Sequence, residues 1–137
     1  MGYAVILGTG NAKAEVVKFG GDDFRTIQKI VGGPFDVVHC PINLKSVDGY
    51  AVDMFVDDEG LIRGLNPNPT ASLLYGIADH GCAIVGRALC LKVNEKGESL
   101  PFDTEDQARE WLTRVLVFCC MEQFRLRKAT FLEEETE

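Results

Sequence analysis

Histidine is scarce in this chain, positive charge is in deficit, and paired cysteine motifs and long apolar runs are missing. Each absence removes a class of function. Two histidines and five cysteines are spread over 137 residues with no CxxC, HxxxH or HExxH spacing, so zinc chemistry lacks its usual ligand pairs. His39 and Cys40 with His80 and Cys82 could in principle supply four such ligands. His39 and Cys40 are adjacent in a strand-like run and should point to opposite faces, so no metal and no cofactor is expected. Cys40, Cys82, Cys90, Cys119 and Cys120 are odd in number and unpaired in spacing, which implies reduced, mostly buried thiols rather than a disulfide framework.

Fourteen basic residues stand against twenty-one acidic ones, giving a net charge of −7 and a pI near 4.8. The phosphate attraction that underlies nucleic-acid affinity is missing globally. Arg125-Leu126-Arg127-Lys128 is the exception, and Glu133-Glu134-Glu135-Thr136-Glu137 follows directly, so the cluster reads as a helix-end charge pattern ahead of a disordered acidic tail. The longest apolar run, Val115 to Met121, is far below the roughly twenty residues that span a bilayer. The first residues, Met1 to Gly8, lack the cationic flank of a secretory signal, and a cytoplasmic protein is expected. No serine or cysteine sits in a nucleophile elbow, the histidines have no evident partner, and no catalytic residue is assigned.

What is present fits one soluble globular domain over residues 1–132. The length is that of a single core, and 46% hydrophobic with 26% charged residues is ordinary for such a domain. Tyr3 to Gly8 and Ala14 to Phe19 read as a hairpin joined through Gly8-Thr9-Gly10-Asn11. That glycine loop lacks the remaining residues of a phosphate cradle and reads as a turn. Asp22 or Asp23 can cap a helix with Phe24, Ile27, Ile30 and Val31 on one face, stopped by Gly32-Gly33-Pro34. Phe35 to Pro41 and Val47 to Val56 read as strands, Asp53 interrupting the second. Cys82 to Val93 is nearly continuous apolar sequence, as in a central strand buried on both faces, broken at Gly86 and Arg87, whose guanidinium would need partners if buried. Thr104 with Gln107 forms a capping-box pattern ahead of a helix carrying Ala108, Trp111, Leu112 and Val115. Residues 116–131 are open to helix or strand. A homo-oligomer through Val115, Phe118 and Met121 is expected from the apolar run.

The segment from Asp57 to Ala71 has the most particular chemistry. Asp57-Asp58-Glu59-Gly60 reads as a solvated hairpin tip joining Tyr50–Val56 to a strand over Leu61–Leu65, since the ligand alternation of a calcium loop is not present. Asn66-Pro67-Asn68-Pro69 is a stiff extended loop, and Thr70 can cap a short helix running through Tyr75 to Asp79. The overall class is thus α+β: a single domain, mostly antiparallel sheet, with two short helices and one longer C-terminal helix.

Ile30-Val31-Gly32-Gly33, Phe35-Asp36-Val37-Val38, the Asp58-Glu59-Gly60 turn, Leu65, Asn68, Ala71 with Leu74-Tyr75, and Ile84-Val85-Gly86 follow one another in an order that resembles a small domain of unknown function. That family recurs in bacteriophages, plasmids and their bacterial hosts. The resemblance spans about Phe24 to Val93, with Thr104 onward outside its pattern. It implies a small α+β accessory protein of a phage or mobile element and brings no established activity. A noncatalytic module that binds a host protein or sequesters a small ligand, such as a nucleotide signal of host defence, is the reading that follows. Its candidate ligand-binding residues are Arg63, Asn66, Asn68, His80 and Arg87. A cryptic hydrolase or metal-dependent enzyme using His39 or His80 with nearby carboxylates, and a structural or assembly component, are the alternatives.

Overall fold

The computed structural model describes residues 2–10, 14–20 and 24–136, the side chains of 78, 79 and 130–136 apart. Six strands form one sheet in which every pairing is antiparallel. The N-terminal hairpin expected from the turn residues is there, as β1 (Gly2–Leu7) against β2 (Glu15–Phe19). Helix α1 (Phe24–Val31) follows, and Gly32 ends it at φ 109°. Its expected caps, Asp22 and Asp23, lie outside the described residues.

Strands β3 (Phe35–His39), β4 (Ala51–Asp57), β5 (Ala88–Val93) and β6 (Ser99–Leu100) complete the sheet in the order β2-β1-β5-β4-β3, with β6 paired to β5. Strand β5 is buried on both faces, as its continuous apolar sequence requires. It is shorter than its apolar run: residues 82–87 form no ladder, and Val85 makes only an isolated bridge to Pro67. Strand β4 likewise begins at Ala51 rather than Val47. Ser46 to Tyr50 is a closed loop in which the Ser46 hydroxyl donates to Asp48 at 2.6 Å and accepts from the Tyr50 amide at 2.9 Å.

Two apolar layers cover the two faces. Ala4, Ile6, Phe55, Leu89 and Leu91 meet Ile27 and Val31 of α1. The opposite face, with Val5, Leu7, Val52, Met54 and Cys90, packs against residues of two of the remaining helices, Ala71 and Leu74 of one and Ala108, Trp111, Val115 and Cys119 of the longest. The remaining helices are α2 (Pro69–Tyr75), α3 (Ile77–His80) and α4 (Glu105–Thr136). Trp111 of α4 is fully buried and donates its indole N–H to the Leu44 carbonyl at 2.9 Å, which satisfies the polar edge of a large apolar side chain. The Thr104 hydroxyl accepts from the Gln107 amide at 3.1 Å, the N-terminal half of the capping box.

The fold is α+β, as the sequence indicates, with four corrections of detail. The cap of α2 is Asn68, not Thr70: its Oδ1 accepts from the Ala71 amide at 3.1 Å, with Pro69 as the first helical residue. The second short helix is two, because Gly76 takes a left-handed conformation and separates α2 from α3. Leu61 to Leu65 is a run of turns rather than a strand. Leu61 and Ile62 face solvent, and the Arg63 and Leu65 amides donate hydrogen bonds to the Glu59 and Gly60 carbonyls, coiling the chain back on itself. Residues 116–131 are helix throughout, and Val115 is fully buried inside the domain, so it cannot contribute to a contact between copies.

Candidate functional site

Asp57, at the end of β4, sets the local geometry. Its side chain is wholly buried, not solvated as a hairpin tip would be. One carboxylate oxygen accepts from the Glu59 amide at 2.9 Å, and the other lies against the Arg63 guanidinium. Satisfying that buried charge requires Arg63 to fold back over the chain, which explains the turns where alternation suggested a strand. The second Arg63 nitrogen donates to the Gly32 carbonyl at 2.9 Å. A Cβ on Gly33 would come within 3.0 Å of the guanidinium, so Gly33 leaves space for this arginine while Gly32 ends the helix.

Asn68 ties the other side of the corner. It is completely buried, and its amide nitrogen donates to the carbonyls of Leu7 and Gly86, each at 2.9 Å, while its oxygen caps α2. Gly86 sits at φ 80°, with the Leu65 side chain where its Cβ would project. Gly32, Gly33, Gly60, Leu65, Asn68 and Gly86, scattered through the sequence pattern, therefore meet in one corner of the fold.

In that corner is a cavity of about 390 Å³. Arg63, Asn66 and Arg87 line it with Thr9, and Val31 and Leu65 supply apolar surface. Of the five residues singled out from the sequence, the structure brings these three together. Asn68 lies behind the wall, its hydrogen bonds spent on the scaffold. His80 stacks on Tyr75 with ring centroids 4.3 Å apart, and Tyr75 belongs to a separate cavity of about 170 Å³ with Asp36 and Asp58. Arg87 is exposed rather than buried, and among the described residues it has no ion-pair partner. Thr9 and Gly32 were not legible as cavity residues, since a turn and a helix stop account for them locally.

The buried cation of the β5 run is Lys92, 2% exposed. Its ammonium group donates to Asp48 at 2.7 Å and Asp103 at 3.4 Å and sits 4.7 Å from the Tyr50 ring centre. Burial alone would raise the Asp48 pKa, but the bonds from Lys92 and Ser46 outweigh it and hold the carboxyl below its ordinary value. A period of two along β5 places Lys92 on the same face as the buried Cys90, the signal that could have marked it.

His39 does have a partner: its Nδ1 lies 2.7 Å from Asp53 across the β3–β4 ladder, with the imidazole 83% exposed. Cys40 is buried on the core side, so the sequence's four zinc-type residues do not assemble. Among the described residues no group of three or more metal-ligating side chains comes together. Of the five thiols, Cys40, Cys90 and Cys119 are buried, while Cys82 and Cys120 are exposed. Among the described residues no helix is long and apolar enough to cross a membrane.

The model of a family described as a domain of unknown function, DUF3846, matches residues 3–115. The match includes the first eleven residues of α4, which the sequence pattern had placed outside. No curated protein and no solved structure matches the chain.

Proposed function

Starting from the chain's membership of the DUF3846 family of domains of unknown function, we propose that it is a noncatalytic binding module whose corner cavity takes a small anionic ligand of mononucleotide size. The observation that carries this reading is the cavity lining. It holds two guanidinium groups, an amide and a hydroxyl, with no carboxylate, imidazole, thiol or amine among its described residues. Guanidinium forks suit phosphate or carboxylate oxygens, and nothing described there is equipped to act as a general base or an activated nucleophile. Arg63 is largely neutralised by Asp57, so Arg87 is the residue that recognises charge. Asn66 and Thr9 would orient the rest of the ligand, and Val31 and Leu65 would pack its apolar part. The volume of about 390 Å³ falls within the range of small-molecule sites.

The resemblance to domains of phages and mobile elements gives this binding a purpose. The protein would act in the cytoplasm of a bacterial host, sequestering a nucleotide signal of host defence. Isothermal titration with purine and pyrimidine mononucleotides, inorganic phosphate and citrate tests the reading, with Arg87→Gln as the control expected to abolish binding. A second reading, hydrolysis at His39, rests on its 2.7 Å contact with Asp53. It requires His39→Ala to remove a measurable esterase or phosphatase activity.

A further inference from the structure

Helix α4 buries Ala108, Trp111, Val115 and Cys119 against the sheet. On its opposite side a second stripe is left open to solvent: Val117, Met121 and Phe124, which are 55%, 68% and 70% exposed, with Cys120 among them. Single exposed apolar side chains are ordinary. Three large ones at i, i+4 and i+7 form a continuous seam along two turns.

We propose that this stripe is the seam of an antiparallel homodimer, with α4 of a second copy as its occupant. The charges at its two ends argue for that partner and that direction. Glu110 and Lys128, both exposed, lie 18 residues apart, which is five turns at about 3.6 residues per turn and so the same helix face. Between residues 110 and 128 the stripe therefore starts at an acidic residue and ends at a basic one, with the apolar residues between. Parallel pairing sets Glu110 against Glu110 and Lys128 against Lys128. Antiparallel pairing about a two-fold axis between Cys120 and Met121 brings each Glu110 within one turn of Lys128 of the partner subunit, and sets each Val117 opposite Phe124 of the partner subunit. A two-fold interface uses the same patch on both copies and must be self-complementary, a condition that the Val117–Phe124 and Glu110–Lys128 pairings meet. None of the described residues that line the corner cavity belongs to α4.

Sedimentation velocity of the full chain across about 1 to 500 µM, a range that covers weak to moderate self-association, tests the proposal. The wild type should shift from monomer to dimer mass within it. Phe124→Glu, at an exposed position that leaves the fold intact by circular dichroism, should weaken association at least about tenfold by placing a charge in the seam. Glu110→Lys and Lys128→Glu should each weaken it about three- to tenfold at low ionic strength, and the double exchange should restore it. A wild type that stays monomeric throughout overturns the proposal and leaves the stripe to a different partner. A double exchange no better than either single one overturns the antiparallel register.

Discussion

Arg63 joins the buried carboxylate of Asp57 to the carbonyl of Gly32, donating to the latter at 2.9 Å. One guanidinium thereby fastens the turn after β4 to the end of α1. Removing it leaves Asp57 charged, buried and unpaired. Arg63→Ala should destabilise the fold by about 2 to 4 kcal/mol, below the full penalty for a broken buried pair because the arginine is partly exposed. Urea unfolding measures this. Asp57→Asn combined with Arg63→Met should cost less than the sum of the two single changes, since the exchange removes both charges together.

Asn68 carries three hydrogen bonds with no solvent behind them. Asn68→Ala should cost about 2 to 4 kcal/mol, combining a lost helix cap with two orphaned carbonyls. Asn68→Asp should be at least as damaging in spite of preserving the cap, because its second oxygen then faces the Leu7 and Gly86 carbonyls. Thermal unfolding of the two variants at neutral pH distinguishes these contributions.

The Asp48–Lys92 pair at 2.7 Å makes stability depend on acid. The folded-state pKa of Asp48 is lowered, so its contribution is fully present above its unfolded value, about pH 4, and is lost as the pH falls through the lower folded value. The melting temperature of the wild type should therefore drop below about pH 4, and Asp48→Asn should reduce that drop while lowering stability at pH 7. Equal acid sensitivity in both proteins would show that other carboxylates govern it.

The large elements were legible because their signals are local. Turn residues, helical spacing from Phe24 to Val31 and the Thr104–Gln107 cap fix strands and helices with little help from distant contacts. Leu61–Leu65 was misread because the demand that bends it comes from Asp57, whose burial no local pattern reports. Lys92, not Arg87, proved to be the buried cation of the Cys82–Val93 run for a similar reason. Both interrupt one apolar run, and only the strand's true start at Ala88 decides which faces the core. Arg63, Asn66 and Arg87 stood out by residue type alone, but their shared cavity depends on Thr9 and Gly32, which no motif connects to them. Asn68 looked like a ligand contact and is a scaffold residue, the common fate of an asparagine before proline.

Anion binding in the corner cavity is most directly tested by titrating mononucleotides and inorganic phosphate into the wild type and Arg87→Gln, with binding followed by calorimetry and by thermal shift. Bound ligand should raise the wild-type melting temperature in proportion to the logarithm of its concentration. Arg87→Gln, a change at an exposed position, should keep the same unliganded melting temperature and lose the response. An anion that binds the wild type and the variant equally well, or no heat and no shift with any of the probes, would contradict the assignment of the cavity as an anion site.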